Sequence, residues 1–267
     1  MSTRHDAITV LTVTRHRPQL LKRAMLSVKK QDYDAKIQHI ICIDDCIDTY
    51  NMLKQQDITP DNLTFFLRAR SESEQSGPGH LAKLRNLMGR MANLKWISFL
   101  DDDNEYEPFH LRLLMDCVQR TGCSAVHSWM QILNFDGSPY LEQCWPWCRD
   151  TQHGTRRYLE LANRGLISPN SNVVRDGINN LPYRCIDTSE WLIERDLFLN
   201  HPIPTHFTHE DWINNKAEDD KLLEQLLSAK VTIACNNVVS LKYYLGGYST
   251  NHDSCHQHSE TWKWQQS

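Results

Sequence analysis

No apolar run in the chain approaches the roughly 20 residues of a membrane span, so no transmembrane segment is expected. The opening residues, Met1 to Asp6, are polar and lead straight into a strand-like stretch. No signal peptide is therefore expected, and a cytoplasmic location follows. Positive charge is not in surplus: 29 Lys and Arg stand against 33 Asp and Glu, a net charge of −4. That argues against non-specific nucleic-acid binding, which needs clustered basic residues. There is no C-x-x-C pair, no internal repeat and no low-complexity linker. The nine cysteines include two C-x3-C pairs, Cys42/Cys46 and Cys144/Cys148. Without an export signal they read more simply as reduced, buried thiols than as a zinc site. At 40% hydrophobic and 23% charged, the 267 residues are too apolar for a disordered chain and sufficient for one large core.

Ala7 to Thr14 is a β-branched run and predicts a buried strand. His16-Arg17-Pro18 ends it, and Pro18 suits the first turn of a helix, with Leu20, Leu21, Ala24, Met25 and Val28 at helical spacing. Ile37 to Ile43 predicts a second strand, closed by Asp44-Asp45, and Asn62 to Leu67 a third. Ser71 to Gly79 is polar and ends in Gly77-Pro78-Gly79, a loop. Leu81 to Leu94 is helical in pattern, and Lys95 to Leu100 is a fourth strand that stops at Asp101-Asp102-Asp103. Strands alternating with helices imply βαβ units, hence an α/β fold with a mostly parallel sheet. In such sheets ligands sit beyond the carboxyl ends of the strands, where Asp44, Asp45 and Asp101 to Asp103 all fall. Further on, Ser124 to Leu133, Ser189 to Ile193, Val231 to Ala234 and Val238 to Tyr244 suggest strands, with helices from Arg195 and over Ala217 to Ala229. The chain reads as one domain over residues 1–267. Residues 7–115 bind something phosphorylated, 116–250 complete the site with a mixed second half, and 251–267 form a tail.

Three successive carboxylates beside a buried strand repel one another unless a cation or hydrogen-bond donors compensate. Mg²⁺ or Mn²⁺ does this well and commonly bridges protein carboxylates to substrate phosphates. In an extended segment Asp101 and Asp103 would share one face and Asp102 would point away. The plain alternative is a solvated acidic turn.

The stretch KWISFLDDDNEYEPFHL, Lys95 to Leu111, resembles the D-x-D segment of GT-A glycosyltransferases of family 2. Asp101, Asp103, Tyr106 and Pro108 match it in register. Thr14 to Pro18 is similar to the family's T-Y-N-R-P turn, Ile40 to Asp45 to its V-V-D-D strand end, and Leu81 to Met91 with Arg85-Asn86 to its A-R-N helix. The resemblance implies a GT-A, Rossmann-like fold and a nucleotide-diphosphate sugar donor carrying UDP, GDP or dTDP. The acceptor would be a glycan, a lipid-linked group or a small molecule. It implies that Thr14, Arg15, Asp45, Arg85, Asp101 and Asp102 line the donor, with Asp45 accepting from the base. Arg85, Lys83 or His80 would reach the diphosphate or the base. Asp103 would ligate a divalent metal, Mn²⁺ or Mg²⁺, with Asp101 on metal or ribose and a late histidine, His252, as a further ligand.

Transfer with inversion needs a carboxylate to take the acceptor's proton, and the family carries it in an E-D pair at a helix start. Glu218-Asp219 and Glu210-Asp211 both qualify. The first is preferred, with Asp219 as base and Glu218 its neighbour, because the helix, strand and tyrosine-rich strand that follow resemble the family's. A helix N-terminus would hold that carboxylate ionised. Trp145-Pro146-Trp147 is either an acceptor platform or core, and Asp187 would face the donor sugar. The reading is an inverting, metal-dependent glycosyltransferase. The alternatives are a nucleotidyltransferase acting on sugar phosphates, which usually has a Gly-rich loop after strand one, and a non-catalytic binding relative.

Overall fold

A computed structural model describes residues 5–55, 62–71, 73–148, 150–177, 183 and 185–247. Its centre is β1 (Ile8–Thr14), whose β-branched residues are almost all buried. β1 pairs in parallel with β2 (Ile37–Asp44) on one side and with β4 (Trp96–Phe99) on the other; β2 pairs in parallel with β3 (Leu63–Arg68). The joining helices are α1 (Pro18–Lys29), α2 (Ile47–Gln55) and α3 (Pro78–Met91). The parallel half is thus the expected one. The third helix starts at Pro78 rather than Leu81, because Pro fits an N-terminal turn whose N–H needs no partner.

After β4 come β5 (Glu105–Tyr106), α4 (His110–Thr121), β6 (Ala125–Leu133), α5 (Thr151–Asn163) and β7 (Val173–Val174). A 3-10 turn at Thr188–Glu190 leads into β8 (Trp191–Glu194), followed by α6 (Arg195–Asn200), α7 (His209–Ile213), α8 (Glu218–Ser228) and β9 (Ile233–Tyr244). Among the described residues the sheet runs β3-β2-β1-β4-β8-β6-β9-β5, with β7 against β6. β8 is antiparallel to both β4 and β6, so the sheet becomes mixed where the second half joins. The expected strand at Ser189 is a 3-10 turn for its first two residues. The two strands expected after Val231 form one, irregular around Asn237, which has φ +58°.

Alternation along the strands sends side chains to two cores. Ile8, Val10 and Trp96 meet α1, α4 and α5 on one face; Leu11, Ile97 and Phe99 meet α3, α6 and α8 on the other. On that second face α3 and α6 touch closely: a Cβ at Gly89 would lie 2.4 Å from the Phe198 ring. Asn86 exchanges two hydrogen bonds with the backbone of Ile203, at 2.8 and 3.0 Å, which pins the segment leading to α7 against α3. Among the described residues no helix is long and apolar enough to cross a membrane.

Candidate active site

Leu100 ends the apolar strand segment with its N–H bonded to Leu11. The next three residues do not continue extended. They turn, and the Asn104 N–H donates back to the Asp101 carbonyl at 3.1 Å. This corrects the expectation that Asp101 and Asp103 share a face. Asp102 is buried, accepting from Thr14 Oγ1 at 2.7 Å and pairing with Arg17 Nη2 at 3.0 Å. Burial pushes its carboxyl up to about 7; Asp103 and Asp101 add to the rise, while Arg17 and Thr14 oppose it. Asp103 accepts from Arg17 Nη1 at 2.5 Å, and its carbonyl accepts from Arg23 Nη2 at 2.5 Å. The end of β9 closes over this turn. The Tyr244 N–H donates to Asn104 Oδ1 at 3.1 Å, and a Cβ on Gly247 would lie 2.5 Å from Asp103 Oδ2.

Asp101 faces the other way. Its Oδ1 accepts from Arg85 Nη2 at 2.5 Å, and its N–H donates to Ser189 Oγ at 3.2 Å. Arg85 is buried on α3, and its second nitrogen, Nη1, donates to Glu218 Oε1 at the start of α8. Burial works against the guanidinium charge, but Asp101 and Glu218 more than offset it and hold Arg85 ionised. One side chain thus ties the strand-end aspartates to the E-D pair.

Asp219 follows Glu218, partly buried, with Oδ1 accepting from the Asp220 N–H at 2.9 Å. Burial, then Asp220, Glu218 and Asp187, raise its carboxyl well above the usual range. The expected lowering by the helix N-terminus is overridden, because several acidic neighbours outweigh a partial dipole charge. Asp187 caps the 3-10 turn through the Ser189 N–H at 2.8 Å; burial and Asp101 push it up to about 7. Glu190, fully buried, accepts from the Asp187 N–H at 2.7 Å and is likewise raised, first by burial.

At the end of β2 the buried carboxylate is Asp44. It pairs with Arg70 and with His80 Nε2 at 2.9 Å, and lies 3.7 Å from Arg68. Hydrogen bonds from His80 and Arg70 overcome its burial and hold it well below the usual carboxylate range. Asp45 is exposed, in a left-handed conformation (φ +52°), its Oδ1 3.4 Å from the Arg70 N–H. Arg15 is partly buried in the loop after β1, and Lys83 is exposed on α3. Thr14 spends its hydroxyl on Asp102, and His80 spends Nε2 on Asp44.

The sequence profile of glycosyl transferase family 2 matches residues 9–171, more than half of the chain. The chain belongs to glycosyl transferase family 2. Its fold is similar to that of S. aureus TarS 1-349, with 12% identity and a TM-score of 0.56 over 89% of this chain and 60% of that one. The same protein in complex with UDP matches at 13% identity and TM-score 0.57, over 91% and 62%. Its complex with UDP-GlcNAc matches at 12% and 0.54, over 92% and 61%. At these identities the likeness is one of fold, and this chain spans about 60% of the length of TarS 1-349. No curated protein matches it.

In this family 2 chain the Asp211 carboxylate of the second E-D pair is engaged by neighbouring groups. Asp211 closes a capping box with Thr208 on α7 and pairs with Lys216 and Lys221 at 3.3 and 2.9 Å. The Thr208 N–H and the two lysines hold its carboxyl below the usual range. Trp145 is buried core, whereas Trp147 is half-buried, 4.9 Å from Tyr243, its carbonyl accepting from Asn215 at 2.8 Å. His252 lies outside the described residues.

Family 2 members often use a divalent metal. Among the described residues no three His, Cys, Asp or Glu side chains converge as a metal cluster. Mg²⁺ and Mn²⁺ held against a diphosphate need only one or two protein carboxylates. Asp103 suits that: it commits Oδ2 to Arg17, and among the described residues no hydrogen bond reaches its Oδ1. Asp101 is turned the other way, onto Arg85. Arg17, Arg23, Arg70 and Glu190 of this site escaped sequence reading. Arg17 stood in the T-R-H-R-P turn with no role given to it, and Glu190 had no pattern to mark it.

Proposed function

We propose that the chain transfers a sugar, with inversion, from a nucleotide-diphosphate sugar to an acceptor hydroxyl. The observation that carries this is the Arg85 bridge. It sets Asp101, at the end of a parallel strand where ligands bind, beside the start of α8, which presents Asp219.

The nucleotide would lie beyond β1 and β2, where Asp44, Arg70 and His80 form a hydrogen-bonded wall and Asp45 is exposed. Asp103 would hold a divalent ion; when bound, it stabilises the growing charge on the departing nucleoside diphosphate. Asp219 takes the proton of the acceptor hydroxyl as that oxygen bonds to the anomeric carbon and the bond to the diphosphate breaks. Its raised proton affinity suits a general base, and Glu218, tied to Arg85, positions it. Asp211 is the weaker candidate, since its carboxylate is fully engaged by Thr208 and two lysines. The TarS complex with UDP makes a UDP-sugar the first donor to try.

The test is incubation with UDP-, GDP- and dTDP-sugars, Mn²⁺ and an acceptor panel. Release of nucleoside diphosphate supports the proposal. Release of pyrophosphate would make it a nucleotidyltransferase, and donor binding without turnover a binding protein.

A further inference from the structure

We propose that Arg17 is the resident counter-cation of the Asp102–Asp103 pair, competing with a divalent ion for Asp103 and yielding it when a diphosphate offers the guanidinium another anion. This rests on reading the site as one for metal and diphosphate.

The geometry separates two carboxylates that look alike in sequence. Arg17 spans them, one nitrogen on each, rather than gripping one with both. Asp102 is an anchor. Its side chain is 2% exposed and fixed independently by Thr14. Asp103 is 15% exposed, and among the described residues Arg17 is the only side chain hydrogen-bonded to its carboxylate. The fork therefore has one end held in the protein and one end exchangeable.

The turn does not depend on Arg17 for its shape. Arg23 holds the Asp103 carbonyl while stacking over Tyr244, 3.7 Å from the ring centroid. Asn104 is held by the Tyr244 N–H. Asp103 can thus lose its arginine and stay where it is. Arg17 can move, because it sits in the loop between β1 and α1, immediately before Pro18, and its side chain is 22% exposed. Arginine pairs with phosphate as readily as with carboxylate. Metal and diphosphate binding are then coupled through a competitor: each is weak alone and strengthens the other, reciprocally.

The test is Mn²⁺ binding to the full chain, followed by the electron paramagnetic resonance of free Mn²⁺, with and without UDP. Wild type should bind Mn²⁺ weakly alone and about tenfold more tightly with UDP, a typical coupling. Arg17→Gln should bind Mn²⁺ alone about fivefold more tightly than wild type, with the gain from UDP reduced to about twofold. Arg17→Lys, which replaces the fork by a shorter side chain with a single nitrogen, should fall between and serves if the glutamine variant fails to fold. Mn²⁺ affinity unchanged by either substitution, with the site lost in Asp103→Asn, would overturn the Arg17 proposal alone. Mn²⁺ binding unaffected by Asp103→Asn would overturn the metal reading of the site and this proposal together.

Discussion

The two ends of the crevice use the same residue types to opposite effect. At the β2 end a single buried carboxylate, Asp44, faces Arg70, His80 and Arg68. At the β4 end Asp101, Glu218, Asp219 and Asp187 crowd around Arg85. Burial is present in both places, and the neighbours differ. Hydrogen bonds from His80 and Arg70 hold the Asp44 carboxyl down. At the other end neighbouring carboxylates add to burial in raising Asp187 and Asp219, and positive charge is in short supply there. The crevice therefore has a finished end and a receptive end.

The contrast breaks most visibly at the base. Asp219→Asn should lower sugar transfer about a thousandfold while leaving donor affinity, read by titration calorimetry, nearly unchanged. In wild type, transfer should rise with pH along a limb displaced above the ordinary carboxylate range, since the base works deprotonated. Full turnover in the asparagine variant would move the base elsewhere. Next in size, Arg85→Met leaves Asp101 and Glu218 without their shared counter-charge and should lose about 3–5 kcal/mol in urea unfolding. Wild-type stability in that variant would show that the receptive end needs no internal cation.

Asp44→Asn tests the finished end. It removes the negative charge that the partly buried Arg70 guanidinium and His80 hydrogen-bond, so the expected loss is about 2 kcal/mol. The two ends should also differ in sign against pH. A carboxyl held down in the fold contributes stability above its unfolded pKa of about 4, lost as pH falls below it. That is the Asp44 end. A carboxyl raised to about 7, as Asp187 is, favours the folded state below about pH 4 and withdraws that support as pH climbs toward 7. Asp187→Asn keeps the cap on Ser189 and should flatten that decline by on the order of 1 kcal/mol. An unchanged slope would mean the rise at the receptive end does not involve Asp187.

The parallel half was legible because its signal is local. β1, β2 and β4 are continuous apolar runs, and aspartates at their ends mark the crevice by topology alone. α2 and α5 were not read from the sequence: α2 is only nine residues long, and TQHGTRRYLELAN carries four apolar residues in thirteen. Asp44 and Asp45 could not be ranked from sequence, because a left-handed backbone at Asp45 turns it to solvent. The proton affinity of Asp219 was misjudged for a related reason. The helix dipole can be read from an adjacent pattern, whereas Asp187 and burial reach it only through the folded chain. Arg17 and Arg85 stood in recognisable motifs, yet their pairing with acids 86 and 133 residues away is a product of the tertiary fold.

A Cβ at Gly247 would fall 2.5 Å from the Asp103 carboxylate, so the main chain there runs close beside the acidic turn. Cutting the chain at that peptide bond would set a free terminal carboxylate there, adding negative charge where the molecule already has too much. Such a shortened protein should bind Mn²⁺ differently even though every acidic side chain remains. Main-chain position, as much as residue type, is a determinant of this pocket's charge.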